Sequence, residues 1–581
     1  MTVAAPPRAR TPGAQRWSAH LPFALLLAGG AALRVVAMVA YQPALFFPDS
    51  FGYLGHASFS RLSVVHPMGY PLFLWPFVHV LHSIHAIAGA QHLLGLSLAV
   101  VGYVFLLRRG LPRWAATLAM LPVLLDPLQL VLEQYVLSDV LFEALLVFAV
   151  LLLLRRRRPP GLVACVVSGL LVAAATLTRG AGSLALVAFV VAVVCLRTPW
   201  RRVVALVLAG VLPVVGYAAV FEHQHPGHFA VVTAGPRFLH ARLLPLVRCD
   251  EVWLPAYERP LCPKVPVRDR SSIDWYMWHT HPVAHDHVAR PPGMTKMALL
   301  RDFDQRVVRA EPKHYATSIG RQFVKGFSWS RQAQIRGRPA GRWLFHTDYW
   351  ILPMLVHRHR EAPRSAVLTG DALAAASFLT GYRTWLWTPG PLLALLGLLA
   401  LAATLGLGRS RRSGERTAVG LLLAACAVPL LTAVAVNGFS WRYQLPQIPL
   451  LPMAGALGLA TLLRGPAPGR PPAEPRRLLE QMTASVVGLP MPARVRAGLA
   501  AAADRGWLQP VVAVVTGLVP GAVVGAAAVR SGWAAPATAA VTGVVVAVGT
   551  TLTLVVSWVR SRADGVLPAP PGSGGDAEAT R

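Results

Sequence analysis

The chain has 581 residues, 55% of them hydrophobic, and a formal net charge of +30 at pH 7. Its mean hydropathy of +0.51 and its repeated apolar runs of about 17–25 residues, each long enough to cross a bilayer, exclude an ordinary soluble globular protein. The charge alone would suit a nucleic-acid-binding protein, but basic residues of polytopic membrane proteins gather in cytoplasmic loops and set the topology. We therefore expect an all-α, multi-pass membrane protein whose partner is the lipid bilayer and not nucleic acid.

The first predicted span covers residues 19–41 and follows a basic arm, residues 1–18, which we expect in the cytoplasm. No small-residue cleavage site comes after this span, so it is predicted to stay uncleaved. The loop region 42–87 follows, and in it a single carboxylate, Asp49, stands among aromatic residues and prolines. Burying a carboxylate in apolar surroundings is costly unless it is paired. An acid at this position therefore indicates a functional site at the membrane surface.

Arginine clusters separate the later apolar runs, and the positive-inside rule places every cluster in the cytoplasm. This arrangement works only if residues 66–87 do not cross the membrane, and their content of Pro, His and Trp favours a juxtamembrane or re-entrant helix. We predict about twelve spans, with both termini in the cytoplasm. After the first, the predicted spans are 88–107, 113–132, 134–154, one that ends near Thr178, 182–197, 203–221, 389–408, 417–436, 444–463, 511–529 and 533–558.

Five polar elements face the extracytoplasmic side in this topology. They are the loop with Asp49, the turns Asp126–Glu133, Thr178–Gly180 and Asn437–Tyr443, and the large mixed region 222–388. Because all five are predicted on one side of the membrane, they could together form an active site at that surface.

The region 222–388 carries more basic than acidic residues. This balance favours an anionic substrate or a lipid phosphate, although a merely solvated surface would have the same composition. Cys249 and Cys262 both lie in this region, and a disulfide between them is plausible if the region is extracytoplasmic. The apolar residues of Lys313–Phe327 recur at helical spacing, which predicts an amphipathic helix on the membrane surface.

The C-terminal part of the chain has a different character. Residues 465–510 are rich in Pro and Arg and are predicted to form a cytoplasmic linker. The two spans within 511–558 contain no acidic residue and are interpreted as an accessory pair. Residues 559–581 are predicted to be a disordered tail. The catalytic region is therefore expected within residues 19–464.

Five segments in chain order resemble the GT-C superfamily of integral-membrane glycosyltransferases, such as aminoarabinose transferases and protein O-mannosyltransferases. They read DSFGY and HPMGYP in the first outer loop, YVLSDVLFEALL at 135–146, LTRG at 177–180 and WRYQLPQIPLL at 441–451. The resemblance covers roughly residues 19–464. Two departures matter, because Ser50 follows the first acid instead of a second acid and His66 stands where aminoarabinose transferases have a lysine. The identity of the sugar therefore does not transfer.

The resemblance implies a GT-C-like transmembrane bundle in the plasma (inner) membrane with juxtamembrane helices and an extracytoplasmic active site. It also implies an activity, the inverting transfer of a hexose or pentose from a polyprenyl-phosphate donor to a hydroxyl of a cell-envelope glycan, lipid or protein. Since the donor already carries its leaving group, the enzyme mainly needs a base and cations for the departing phosphate. Asp49 is the predicted base, and we expect partial desolvation to raise its pKa. The alternatives for Asp49 are a helix cap or a salt bridge to Arg34.

Asp139 is predicted about one turn into the span 134–154. Acids inside spans cost about 2.5–3.5 kcal/mol on insertion scales, so they should pair or face a cavity. Asp139 could therefore orient the acceptor or hold a cation such as Arg179 or Arg442, and Glu133 could serve the same cavity.

Arg442 suits the donor phosphate, which a guanidinium can grip with two parallel hydrogen bonds. Arg179 is a weaker case of the same kind. Tyr53 and His66 could bind phosphate or position Asp49. Packing in an aromatic belt at the membrane interface would explain both residues equally well.

A metal site is a further alternative at His279, His281, His285, Asp286 and His287, since imidazoles and a carboxylate can bind zinc. Their spacing matches no metallohydrolase pattern, and we expect no cofactor. The chain contains no nucleotide-binding glycine loop, so the donor is expected to arrive through the membrane. Two other functions stay open, a ligase that joins whole lipid-linked glycans and a twelve-span transporter or flippase of an anionic or lipid-linked substrate. Against transport, the polar residues cluster at one face and not at the bilayer midplane.

Overall fold

The structure, a computed structural model, describes residues 20–58, 61–278, 289–329, 331, 343–348 and 367–464. All of them belong to the first of the two units into which the chain divides, Met1–Gly469. The arm 1–18, the linker 465–510, the accessory pair 511–558 and the tail 559–581 lie outside the described residues. Within the described ranges the chain is helical, and its β pairing is limited to two isolated bridges.

The described chain contains eighteen α-helices. Proline occupies the first turn of several of them, where its missing N–H has no helical partner in any case. In chain order they are α1 (Leu21–Ala40), α2 (Pro48–His56), α3 (Gly69–His79), α4 (Ile84–Arg108), α5 (Arg113–Leu125), α6 (Pro127–Gln134), α7 (Asp139–Leu153), α8 (Leu162–Thr178), α9 (Ala185–Cys195), α10 (Trp200–Gln224), α11 (Gly235–Leu243), α12 (Ile273–Trp278), α13 (Lys296–Ala310), α14 (Pro312–Lys325), α15 (Gly370–Trp385), α16 (Gly390–Leu405), α17 (Arg416–Asn437) and α18 (Gln447–Arg464).

Five helices of the described chain are long and apolar enough to cross a membrane: α1, α4, α10, α17, and α18 together with the short helical turn before it. Two bent pairs raise the number to as many as seven if each pair is one span, α5 with α6 at 46° and α15 with α16 at 56°. The described part of the molecule is therefore all-α, and its apolar helices are consistent with a membrane protein. Each of the ten spans predicted between residues 19 and 464 overlaps a helix or part of a bent pair, although α7, α8 and α9, with 15, 17 and 11 residues, are shorter than a full span.

Three elements differ from the sequence-based expectation or refine it. The segment Asp126–Glu133, predicted as a turn, forms most of helix α6, which follows α5 after a bend. Asp126 is the N-cap of α6, and its side chain accepts a hydrogen bond from Leu128 N at 2.8 Å. The last part of the predicted outer region 222–388 is helix α15, which packs along α1. The segment 66–87 contains α3, whose eleven residues reach only about 16 Å. This length agrees with the prediction that the segment does not cross the membrane.

The helices pack closely where small residues face each other. Helix α8 lies between α7 and α10, and a side chain at its Gly169 would place a Cβ only 2.5 Å from Leu206 O. Small residues at helix crossings allow this backbone approach, as is common in membrane proteins.

Helices α11 to α14 form a polar subdomain with its own apolar core. Leu243, Tyr276, Leu299 and Phe303 are buried in it, and a disulfide joins Cys249 to Cys262 with their Cα atoms 6.2 Å apart. The helix predicted over Lys313–Phe327 is α14, which has no buried residue. It contacts α17 through a hydrogen bond of 2.8 Å from Tyr315 Oη to Ala435 O. Its placement on a membrane surface stays a prediction.

Two backbone contacts hold the segment before α2 and the segment 66–71 in place. Leu45 N donates to Gln134 O, and Val136 N donates to Leu45 O, each at 2.9 Å, so the chain before α2 is fixed to the chain before α7. Gly69 lies so close to the end of α8 that a Cβ on it would be 2.6 Å from Leu177 O. These contacts bring the DSFGY, HPMGYP and LTRG segments together.

Candidate active site

Asp49 lies in the first turn of α2. Arg442 Nη1 donates a hydrogen bond to Asp49 Oδ2 at 3.0 Å. The carboxylate is therefore paired with a residue 393 positions later in the sequence. Ser50 Oγ accepts a hydrogen bond from Phe47 N at 2.9 Å. The residue that replaces a second acid thus caps the helix that presents Asp49.

Tyr53 and His66 surround the same carboxylate. The His66 Nε2 atom is 3.9 Å from Asp49 Oδ1, and the imidazole ring centroid is 4.8 Å from that of Tyr53. The Tyr53 hydroxyl shares a hydrogen bond of 3.0 Å with Ser138 Oγ, and its ring meets Tyr70 edge-on at 4.9 Å. Tyr53 therefore connects α2 to the start of α7.

Asp139 and Arg179 form the second ion pair of the site. Arg179 follows the last residue of α8 and donates from Nη1 to Asp139 Oδ1, which is one of the two partners that the sequence analysis considers for this acid. The other carboxylate oxygen, Oδ2, is buried and makes no hydrogen bond within the described part of the chain. An acid in the first turn of α7 is also favoured by the helix dipole.

An aromatic cage holds the Arg442 guanidinium, and we define it as Phe47, Trp343 and Tyr443. The guanidinium carbon lies 5.4, 5.5 and 5.5 Å from their ring centroids, within the range of cation–π attraction. Arg179 lies 5.2 Å from the Tyr443 ring, so this ring contacts both cations. Sequence reasoning missed Trp343, because no pattern in the sequence links it to a residue about a hundred positions away.

Burial and neighbouring charges shift the pKa values of the titratable side chains in the site. Burial raises the pKa of the Asp49 carboxyl, but Arg442, His66 and Arg179 more than offset this effect and hold the pKa below its ordinary value. The expectation of a raised pKa is therefore wrong for the protein without ligands. Burial lowers the pKa of His66, against the opposing effect of Asp49, so the imidazole is neutral at pH 7. Burial raises the pKa of Tyr53, which keeps its hydroxyl protonated.

Glu133 lies in a separate buried network. Its carboxylate accepts hydrogen bonds of 2.8 Å from Arg34 Nη2 and shares one of 2.8 Å with His92 Nδ1. The alternative of a salt bridge between Arg34 and Asp49 is therefore wrong, since Arg34 pairs with Glu133. The network still supports the site, because Gln91 Nε2 donates to the main-chain oxygens on both sides of Gln134 while its Oε1 accepts from the Tyr70 hydroxyl at 2.8 Å.

No metal-binding group of three or more His, Cys, Asp or Glu side chains occurs in the ranges that the structure describes. The histidine cluster considered from the sequence, His279, His281, His285, Asp286 and His287, lies outside them.

Comparison with known proteins finds no matching family model, no matching curated protein and no matching solved structure. The chemistry of the site therefore carries the functional argument. The side chains of Asp49, Arg442 and Arg179 keep 11%, 14% and 17% of their surface exposed, whereas the carboxylate of Glu133 is fully buried. Two guanidinium groups and a carboxylate of the site thus keep part of their surface exposed, and side chains of this kind can bind an anion beside a base.

Proposed function

We propose that this protein is a GT-C-like membrane glycosyltransferase. It transfers a hexose or pentose from a polyprenyl-phosphate donor to a hydroxyl group of a cell-envelope glycan, lipid or protein, with inversion at the sugar carbon. The observation that supports this proposal is the convergence of the pairs Asp49–Arg442 and Asp139–Arg179. Four segments that are far apart in the sequence supply these residues. An ion pair with a purely structural role does not need a partly exposed guanidinium group that aromatic rings surround, as they do Arg442.

The proposed reaction is a single displacement. Asp49 accepts the proton of the acceptor hydroxyl as its oxygen forms a bond to the anomeric carbon. The bond between that carbon and the phosphate oxygen breaks, and polyprenyl phosphate leaves with the electron pair. Arg442 and Arg179 stabilise the charge that develops on the phosphate. General-base assistance of this kind contributes about two to four orders of magnitude in rate.

The remaining side chains position the reacting groups in this proposal. His66 is neutral and lies beside Asp49, so it can accept or donate a hydrogen bond to the donor phosphate or to the acceptor. Tyr53 keeps its hydroxyl proton and is fixed by Ser138. No step requires a metal ion, and the residues of the site provide both the base and the cations.

The proposed topology has twelve spans, both termini in the cytoplasm and the active site on the extracytoplasmic side of the plasma membrane. The overlap of ten predicted spans with helices or parts of bent pairs supports it. So does the disulfide of Cys249 and Cys262, which is typical of an oxidising compartment. Residues 465–510 serve as a cytoplasmic linker to the accessory pair 511–558 in this proposal.

The proposal is tested by sugar release and transfer with the purified full-length protein in nanodiscs. Glycan profiling of a deletion strain first identifies the missing sugar, and the matching polyprenyl-phosphate sugar is then supplied as donor. Asp49→Asn should reduce turnover by at least about a hundredfold, because it removes the general base. Asp269→Asn, which removes an exposed carboxylate of the polar subdomain, is the matched control and should retain full turnover.

Two results would refute the proposed function. One is an unchanged glycan profile in the deletion strain. The other is full turnover by Asp49→Asn. Altered uptake or lipid flipping with an unchanged glycan product would instead identify a transporter, since transport requires no base for an acceptor hydroxyl.

A further inference from the structure

Both guanidinium groups of the active site are paired with carboxylates of the protein itself. Arg442 Nη1 donates to Asp49 Oδ2 at 3.0 Å, and Arg179 Nη1 donates to Asp139 Oδ1. The formal charges of these four side chains cancel. An incoming phosphodiester must therefore share these cations with the carboxylates or take them over.

We infer that binding of the donor phosphodiester converts Asp49 from an ion-paired carboxylate into a competent base, so that the donor binds before the acceptor can be deprotonated. This inference rests on the proposed function and adds an order of events to it. The cation that stabilises the charge of Asp49 is the same one that would contact the phosphate, because the Arg442 side chain pairs with Asp49 and still keeps 14% of its surface exposed. Arg442 is thus both the counter-ion of Asp49 and the cation proposed to bind the phosphate.

Two physical effects act in the same direction when a phosphate contacts Arg442. The phosphate brings a like charge close to Asp49, and it draws guanidinium hydrogen bonds away from the carboxylate. Each effect favours the protonated form of Asp49. Among the described residues, the groups that face this carboxylate are Arg442, His66, Tyr53 and Arg179, and of these only the two arginines carry a full positive charge at pH 7. Partial neutralisation of Arg442 therefore has a large effect on Asp49.

Thermodynamic linkage makes this effect reciprocal. If the phosphate increases the proton affinity of Asp49, then a neutral residue at position 49 increases the phosphate affinity by the same factor. Couplings of this kind between sites correspond to about 5–150-fold. Asp49→Asn should therefore bind the anion more tightly than the unmutated protein, even though it cannot turn over. Neutralising a carboxylate that does not interact electrostatically with the phosphate site would not increase the phosphate affinity.

The test measures the affinity of the full-length protein in nanodiscs for a polyprenyl methyl phosphate. This probe is a singly charged phosphodiester with no sugar to transfer. Asp49→Asn should bind it at least about fivefold more tightly than the unmutated protein. Arg442→Gln should bind it more weakly, and most of the gain should disappear when both changes are combined. Asp269→Asn, the matched loss of one exposed negative charge outside the site, should leave the affinity unchanged.

Equal or weaker binding by folded Asp49→Asn overturns the inference. Absence of binding in every variant refutes the proposed function as well, because it removes the donor phosphate site, so the two failures are distinguishable. If Asp49→Asn does not fold, a second measurement tests the inference with aspartate retained at position 49. In His66→Gln, whose imidazole no longer titrates, calorimetry in buffers of different ionisation enthalpy should show proton uptake on probe binding at about pH 5. Binding without proton uptake would also overturn the inference.

Discussion

At the scale of single residues, the chemistry of this molecule depends on charges placed where solubility does not require them. The sequence predicts Asp49, Asp139, Arg179 and Arg442 as site residues for this reason, and the structure brings all four together. The direction of the Asp49 pKa shift could not be predicted, because it depends on a partner 393 positions away. Trp343 was unpredictable for the same reason, since its contact with Arg442 exists only in the folded chain.

Arg442→Lys tests whether the shape of the cation matters as well as its charge. An ammonium group cannot form the two parallel hydrogen bonds to a phosphate and stacks less well on the aromatic cage. We expect turnover with the polyprenyl-phosphate sugar to fall by roughly a hundredfold, with the loss in both kcat and KM. Arg321→Lys, the same change at an exposed position of α14, should leave both constants unchanged. Equal activity of the two variants would argue against a phosphate-gripping role for Arg442.

His66 should make the protein sensitive to acid. Its pKa in the folded state is lowered, chiefly by burial, so the unfolded chain binds more protons than the folded chain as the pH falls below about 6.5. The stability contributed by the neutral imidazole is therefore present above that pH and lost on acidification. Between pH 7 and pH 5 the Tm of the unmutated protein should fall more steeply than that of His66→Gln. Parallel Tm curves for the two proteins would show that His66 does not carry this effect.

At the scale of elements, apolar runs predict the positions of the helices but not their bends. The span predicted as 113–132 is broken at Asp126, whose carboxylate accepts from Leu128 N, from Thr388 N and from both terminal nitrogens of Arg331. Two of these three partners come from distant segments, so the local sequence could not reveal the full reason for the break. Helix α15 was missed in the sequence-based prediction, and the structure shows it packed along α1.

Gly69→Ala tests the close contact between the first loop and the end of α8. The added Cβ would lie 2.6 Å from Leu177 O, and a backbone atom at that distance cannot move aside cheaply. We expect a loss of about 1–3 kcal/mol in the free energy of unfolding, which is typical of overpacking, together with reduced turnover because Arg179 shifts away from Asp139. Thermal unfolding and the sugar-transfer assay measure the two effects.

Gly55→Ala is the matched control for Gly69→Ala. Gly55 lies inside α2, and a Cβ added to it would have no neighbour within 4 Å. Alanine has the higher helix propensity by up to about 1 kcal/mol, so this variant should be as stable as the unmutated protein or more stable. A similar loss in both variants would contradict the role assigned to the Gly69 contact.

At the scale of the whole molecule, charge asymmetry between loops predicts an orientation that geometry alone does not supply. The helices of the described chain show which segments lie side by side, whereas the side of the membrane follows only from the arginine clusters. The proposed placement of the active site outside the cell can therefore be tested by a direct measurement.

Cysteine labelling provides this measurement. In a variant without the exposed Cys195, a cysteine at Ser58 should react with a membrane-impermeant maleimide in intact cells. A cysteine at Gly414, between α16 and α17, should react only after the cells are permeabilised. Both positions are exposed in the structure, so differences in labelling report the side of the membrane and not burial. The reverse pattern would place Asp49 in the cytosol and exclude a donor delivered to the outer leaflet.

The hydrogen bond between Asp49 and Arg442 joins residues 393 positions apart, and this separation has a consequence for biogenesis. During synthesis, the first hairpin of the nascent chain is inserted long before the ribosome reaches the segment that carries Arg442. Asp49 therefore has no Arg442 counter-ion until synthesis has passed α17, which Arg442 follows in the sequence. Under the proposed function, a newly made protein would therefore lack its paired base until its catalytic region is almost complete.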